Sequence, residues 1–417
     1  MTLALLAAGV LSACGSDDEA GGPAELSFFI FNEPSGVLPT IADSCSKASN
    51  GEYTISFEYL PNEADQQREQ LVRRLGAEDD SLDILGMDVI WTGEFANAGW
   101  VEQWTGEDEK VATKNVFPSV AETARFEDKL WAAPIWSNTQ LLWYRKDRVP
   151  QAPKTWDEMY EQASKLPPEE NKIEVQANRY EGLVVWLNSM VESAGTSIVS
   201  PDDAATVELA SPETDKALGL MVELADSPFA DPSMSTSDED TSRLAFETGA
   251  ATFMLNYPFV YPSAKDNAPD VFKNLGVAPY PRVDAARPAA APLGGINLGV
   301  SSYSTHKQEA FDAIKCMIQP QNQIQIATEG GLPPVDQTLY DSPKIDDVYP
   351  GFAPLIKDAI EHAAPRPVTP AYQDVSLAIQ RTIHPLDSIS DAEDAIADKV
   401  DELRDNVQTA LDVEGLL

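Results

Sequence analysis

Three short apolar runs, each followed by a helical pattern, constrain this chain more than anything else in it. ELSFFIFNE (residues 25–33) is almost continuously apolar and reads as a buried strand. EYTISFEYL (52–60) alternates and reads as a second strand, and SLDILGMDVIW (81–91) as a third. Between and after them lie helical patterns: one around 36–49, then ADQQREQLVRRLGAE (64–78) with Leu71, Val72 and Leu75 on its apolar face, then EFANAGWVEQW (94–104). Strands separated by helices predict a parallel sheet with helices on both faces, because parallel neighbours need long crossovers. Ligands of such sheets sit past the carboxyl ends of the strands. The residues there are Asn32, Glu33, Pro61, Asn62, Asp88 and Trp91.

The pattern then changes. LWAAPIWSNTQLLWYRKDRV (130–149) holds two extended runs with a break near Pro134, and TWDEMYEQASKL (155–166) begins a helix with Thr155 as its cap. Residues 179–194, 212–226 and 238–249 read as helices, and ATFMLNYPFV (251–260) as a strand running into a turn. A loop rich in Pro and Ala (281–292) leads to the extended LGGINLGVSS (293–302) and the helix STHKQEAFDAIKCMIQ (304–319). From about 350 the chain is helical apart from AAPRPVTPAY (363–372). A first α/β unit is thus interrupted by a different one and resumed later. Two crossings of this kind make a hinge.

The chain begins with an apolar stub, residues 3–13, too short to span a bilayer, which takes roughly 20 apolar residues. It fits the core of an export signal. Leu11-Ser12-Ala13-Cys14 resembles a bacterial lipobox, in which Cys14 would carry the lipid. The Gly, Ser, Asp and Glu residues at 15–22 read as a solvated tether. No Lys or Arg precedes Cys14, so the basic start of such a signal is expected upstream, in a longer precursor. The competing reading is a buried N-terminal helix with a free thiol. Cys45 and Cys316 remain; in an exported protein an even remainder suggests a disulfide, against two separate buried thiols.

Of the 417 residues, 68 are acidic and 29 basic, a formal net charge of −39. That balance opposes nucleic-acid binding, which calls for Lys and Arg against phosphates, and it favours solubility. The three histidines (His306, His362, His384) form no metal-ligand spacing, and no nucleophile elbow or phosphate loop is present. An enzyme is therefore not expected, and neither is a metal site. The eight tryptophans all fall between Trp91 and Trp186. Aromatic rings suit the apolar faces of sugars, and Asp, Glu, Asn and Arg suit their paired hydroxyls.

The lipobox, DQQREQLVRRL, DILGMDVIWTGEFANAGW, NTQLLWYRKD, LAFETGAATFMLNYPFV, LGGINLGVS, EGGLPP and PRPVTPAYQ, in this order, cover nearly the whole chain after residue 25. Together they resemble the extracytoplasmic solute-binding lipoproteins of carbohydrate ABC importers, the maltose/trehalose-binding superfamily. NTQLLWYR and EGLVVW make the chain similar to the trehalose-binding lipoproteins of actinobacteria such as mycobacteria.

The resemblance implies a two-lobed type II periplasmic-binding-protein fold of class α/β, each lobe a mainly parallel sheet flanked by helices. It divides the chain into a signal remnant and tether (1–24), an N-terminal lobe (25–135 plus 297–348) and a C-terminal lobe (136–296 plus 349–417). The implied ligand is an α-linked glucose disaccharide, trehalose ahead of maltose, other oligosaccharides or glycerophosphodiesters. A surface glycosidase is the distant alternative. The implied protein is a monomer on the outer face of the membrane, held there by its lipid and delivering sugar to the permease without a cofactor. Carried over residue by residue, Asp88, Asn138 and Arg366 would hold sugar hydroxyls, Glu239 would bind from the second lobe, and Gly295 and Ile296 would offer backbone groups. Tyr257 would stack on a ring where the mycobacterial type carries a tryptophan. Glu33 and Arg68 are weaker transfers. The bland readings are a turn cap for Asp88, a surface arginine for Arg366 and backbone freedom for Gly295. Replacing Asp88 or Arg366 is expected to abolish binding and leave the ligand-free melting temperature nearly unchanged.

Overall fold

Two mixed sheets organise residues 22–201, 203–209 and 212–414, the part of the chain described by this computed structural model. Cys14 and the apolar stub lie outside the described residues. The strands are β1 (Ala24–Phe31), β2 (Tyr53–Leu60), β3 (Ile84–Asp88), β4 (Ala133–Asn138), β5 (Leu141–Arg145), β6 (Lys172–Glu174), β7 (Ala251–Asn256), β8 (Leu275–Ala278) and β9 (Gly294–Val300). The first sheet has the order β2-β1-β3-β9-β4 and the second β8-β5-β7-β6.

β1 lies inside the first sheet. Its Leu26, Phe28, Phe29 and Ile30 are buried on both faces, which is why that run is continuously apolar. β2 is at the edge and alternates in burial as its sequence does. Helix α1 (Val37–Ala48) buries Val37, Leu38, Ile41, Ala42 and Cys45, one stripe at helical spacing. Helix α2 (Ala64–Leu75) buries Gln67, Leu71 and Leu75, with Val72 only half-buried.

Strand direction carries the topology. β1, β2, β3 and β4 share one direction, and β9 is antiparallel to both β3 and β4. β6, β7 and β8 also share one direction, and β5 is antiparallel to β7 and β8. The expectation of a mainly parallel second sheet is thereby corrected: its one parallel pairing is β6 with β7. The reason is that each reversed strand is the one that arrives from the other sheet. β5 follows β4 of the first sheet after two residues, and β9 follows β8 of the second, so neither strand enters its sheet by a crossover from a strand of that same sheet.

The expected break near Pro134 falls elsewhere. Pro134 sits inside β4, and the break is at Thr139–Gln140. β4 is an edge strand, and its register with β9 shifts between Ile296 and Asn297, opposite Pro134. A residue without an N–H is tolerated there.

Helix α3 (Glu181–Ala194), α4 (Glu239–Glu247), α5 (Lys307–Met317) and α6 (Tyr372–Ile383) complete the elements that matter for the site. Cys45 of α1 and Cys316 of α5 are joined in a disulfide across 271 residues of sequence, with their Cα atoms 5.9 Å apart. No helix among the described residues is long and apolar enough to cross a membrane.

Candidate functional site

One strand assembles half of the site. In β9, Ile296 lies opposite Asp88 of β3 on one side and Trp136 of β4 on the other. Gly294 lies opposite Asn138, and Gly295 opposite Ser137. Asp88, Asn138, Gly295 and Ile296 therefore meet at one end of the first sheet. Gly295 has φ +137°, and a Cβ there would come 2.4 Å from the Trp136 carbonyl oxygen, so the position requires glycine.

The other half hangs on β7 and α4. The Asn256 amide donates to the Glu239 carbonyl at 2.9 Å and to Ser242 Oγ at 3.1 Å. Asp238 caps α4 by accepting from Thr241 N at 2.8 Å. Gln176 donates to the Leu255 carbonyl and to Ser242 Oγ, both at 2.9 Å, and accepts from Gln140 at 2.8 Å. These bonds fix Tyr257, just past β7, and Glu239, the first residue of α4.

Between the two sheets lies a cleft of about 520 Å³. Asp88, Asn138, Glu239, Tyr257, Gly295, Ile296 and Arg366 all line it. Burial pushes the Glu239 carboxyl above its ordinary range, against the Tyr180 hydroxyl, which favours the charged form. Burial, and then the nearby Glu239 charge, push the Tyr257 and Tyr180 hydroxyls up as well.

Arg366 is the centre of the arrangement. Its side chain is 5 % exposed. Nη1 donates to Glu181 Oε1 at 2.6 Å and Nη2 to Asp88 Oδ1 at 3.1 Å. Nε has no hydrogen-bond partner among the described residues. Burial works against the charge, but Asp88, Tyr372 and Glu181 outweigh it and hold the guanidinium firmly protonated. Glu181 also accepts from Ser376 Oγ at 2.6 Å and from the Tyr372 hydroxyl. Asp88 keeps its capping role too, accepting from Ile90 N at 3.2 Å. A second contact spans the cleft: the Gln373 amide of α6 donates to Asp65 Oδ1 of α2 at 3.2 Å.

Glu33 and Arg68 do not reach the cleft wall. Arg68 Nε donates to Glu94 Oε2 at 2.7 Å, so its charge is committed elsewhere. Glu33 is buried and accepts from Ser35 N at 3.0 Å, beside Gly330. Trp91, past the end of β3, stacks on Phe95 in the core. Trp136, Tyr180 and Glu181 line the cleft without having been singled out. Glu181 had a signal: it is a carboxylate at the start of EGLVVWLNSMVESA, a helix buried on nearly every face. A charge there needs a partner. Among the described residues no cluster of three or more His, Cys, Asp or Glu is placed to hold a metal.

Two sheets, a cleft between them and paired crossings define the two-lobed periplasmic-binding-protein fold of type II. The chain belongs to the bacterial extracellular solute-binding protein family, which it matches over residues 40–351. The family places it outside the cytoplasm. It is 27% identical over 362 residues to a probable ABC transporter-binding protein of Deinococcus radiodurans, covering 82% of this chain and 83% of that one. It is 28% identical over 302 residues to the maltotriose-binding protein of Pyrococcus abyssi, covering 70% and 63%. Maltose-bound T. maritima MalE3 superposes with a TM-score of 0.81 and 27% identity, over 91% of this chain and 99% of that one.

Proposed function

We propose that this protein captures an oligosaccharide for an ABC importer and holds it between two closing lobes. The observation that carries this is Arg366, a buried guanidinium joining Asp88 of one sheet to Glu181 of the other side, in a cleft that also presents Trp136, Tyr257, Asn138 and Glu239. Planar donors and carboxylates hold vicinal hydroxyls in pairs, and the rings cover sugar C–H faces. The proposed lobes are 25–135 plus 297–348 and 136–296 plus 349–417, so the boundaries between them pass through β4 and β9. A ligand that touches both lobes shifts the population toward the closed form, which is the form offered to the permease. No step of this process calls for a cofactor. The protein is proposed to act as a monomer tethered through lipidated Cys14.

The proposed ligand is an α-linked glucose disaccharide, with trehalose ranked first because of the NTQLLWYR and EGLVVW strings. A second reading, maltose or maltotriose, is favoured by what the Pyrococcus and T. maritima relatives are named for binding. A thermal-shift screen with trehalose, maltose, maltotriose, sucrose and glycerophosphocholine separates them. Saturation at a hundred times the dissociation constant adds about 2.7 kcal/mol of stability. A shift with trehalose and none with maltose supports the first reading, and the reverse supports the second. No shift with any sugar sinks both.

A further inference from the structure

The charges around Arg366 carry a consequence for which sugars the cleft accepts. The lining holds seven carboxylates and two guanidiniums, and it holds no lysine. One of the guanidiniums, Arg179, is exposed. The other, Arg366, has both terminal nitrogens occupied by carboxylates, Glu181 at 2.6 Å and Asp88 at 3.1 Å. A site built for an anion leaves the guanidinium fork free to grip it. Here the fork is already neutralised. Glu181 is held in turn by the Ser376 hydroxyl at 2.6 Å and by the Tyr372 hydroxyl, so it is fixed in that role.

We infer that Glu181 is a specificity-determining residue: by neutralising Arg366 it makes the cleft accept uncharged sugars and reject phosphorylated or otherwise anionic ones. This rests on the reading of the cleft as a sugar site. Arg366 then serves as an orienting donor and not as a counter-ion. An anionic ligand would meet a lining in which carboxylates outnumber guanidiniums, and like charges there are costly.

The test uses isothermal titration of the full chain with trehalose and with trehalose 6-phosphate. Wild type should bind trehalose at least about a hundredfold more tightly than its phosphate. Glu181→Gln keeps the shape and can still accept from Arg366 while donating to Ser376. It should weaken trehalose and narrow the preference by about tenfold, because one negative charge next to the guanidinium is gone. Tyr372→Phe leaves that charge in place and should weaken both ligands alike. Asp88→Asn removes the other carboxylate on the same guanidinium and should narrow the preference as Glu181→Gln does; it decides the matter if Glu181→Gln fails to fold. Added salt, from about 0.05 to 0.5 M, should also narrow the wild-type preference. A folded Glu181→Gln protein with the wild-type preference intact overturns the inference. So does a wild-type protein that binds both ligands equally, which would leave the sugar-site reading standing. A wild-type protein that binds neither overturns the trehalose reading, and the comparison is repeated with maltose and maltose 1-phosphate; equal binding of those two overturns the inference, and binding of neither overturns the inference and the sugar-site reading together.

Discussion

A guanidinium inside a protein is stable only where carboxylates and hydrogen bonds replace the water it has lost, and this governs what Arg366 does when replaced. Asp88 stood out at the carboxyl end of β3, whereas Arg366 was named only through the family resemblance. The sequence offered no view of their pairing, since they are 278 positions apart. From sequence, Arg366→Ala should cost binding and no stability. Its burial changes that outcome. Removing Arg366 leaves Glu181, buried among Tyr372 and Ser376, with an uncompensated charge. Breaking a buried pair in this way costs about 3–5 kcal/mol. Arg366→Ala should therefore lose ligand-induced stabilisation and also melt well below wild type without ligand. Differential scanning calorimetry with and without trehalose checks both. An unchanged ligand-free melting temperature would show that the guanidinium is not paired as described. Arg68 lies off the cleft wall with its charge paired to Glu94, 26 residues on.

At the scale of elements, long periodic segments were legible and short edges were not. α1, α3 and α5 fall within a few residues of their sequence patterns, α1 and α5 because a stripe of buried residues recurs every turn and α3 because its apolar run is too long for a strand. β6, three residues long, and β8, four residues long, leave too little sequence for any periodicity to show. β6 nonetheless carries a titration that can be measured. Glu174, its last residue, is buried opposite Met254 of β7. Burial, and then the neighbouring Asp231, push its carboxyl up to about 8, with Lys172 pulling weakly the other way. A carboxyl that binds its proton more tightly when folded than the ordinary value of 4.5 stabilises the fold below that value. The stabilisation is lost as pH rises from about 4.5 to 8, and the loss is complete above 8. Glu174→Gln stays neutral and keeps a donor for Asp231. Its denaturation midpoint should fall less between pH 5 and pH 9 than that of wild type, and it should be the more stable of the two at pH 9. Parallel pH profiles for the two proteins would show that Glu174 is ionised in the folded state throughout.

For the molecule as a whole, the interrupted order was the legible feature: an α/β unit, a long insertion, then a return. The direction of the crossing strands was not legible, because nothing local records which sheet a strand has just left. The disulfide sits on the returned part. It ties α1, which precedes the insertion, to α5, which follows it, and neither helix lines the cleft. The bridge therefore restricts the unfolded chain across 271 residues while leaving the site itself untouched. On the chain-entropy account a loop of that length is worth about 5 kcal/mol. Reduction with dithiothreitol should lower the melting temperature by many degrees, and titration calorimetry under the same reducing conditions should return the oxidised protein's affinity for its sugar. An unchanged melting temperature would mean that packing between α1 and α5 holds the two segments without the bond. If affinity fell along with stability, the first lobe would be loosening as far as Asp88, and stability and binding could not be separate properties of the two ends of that sheet.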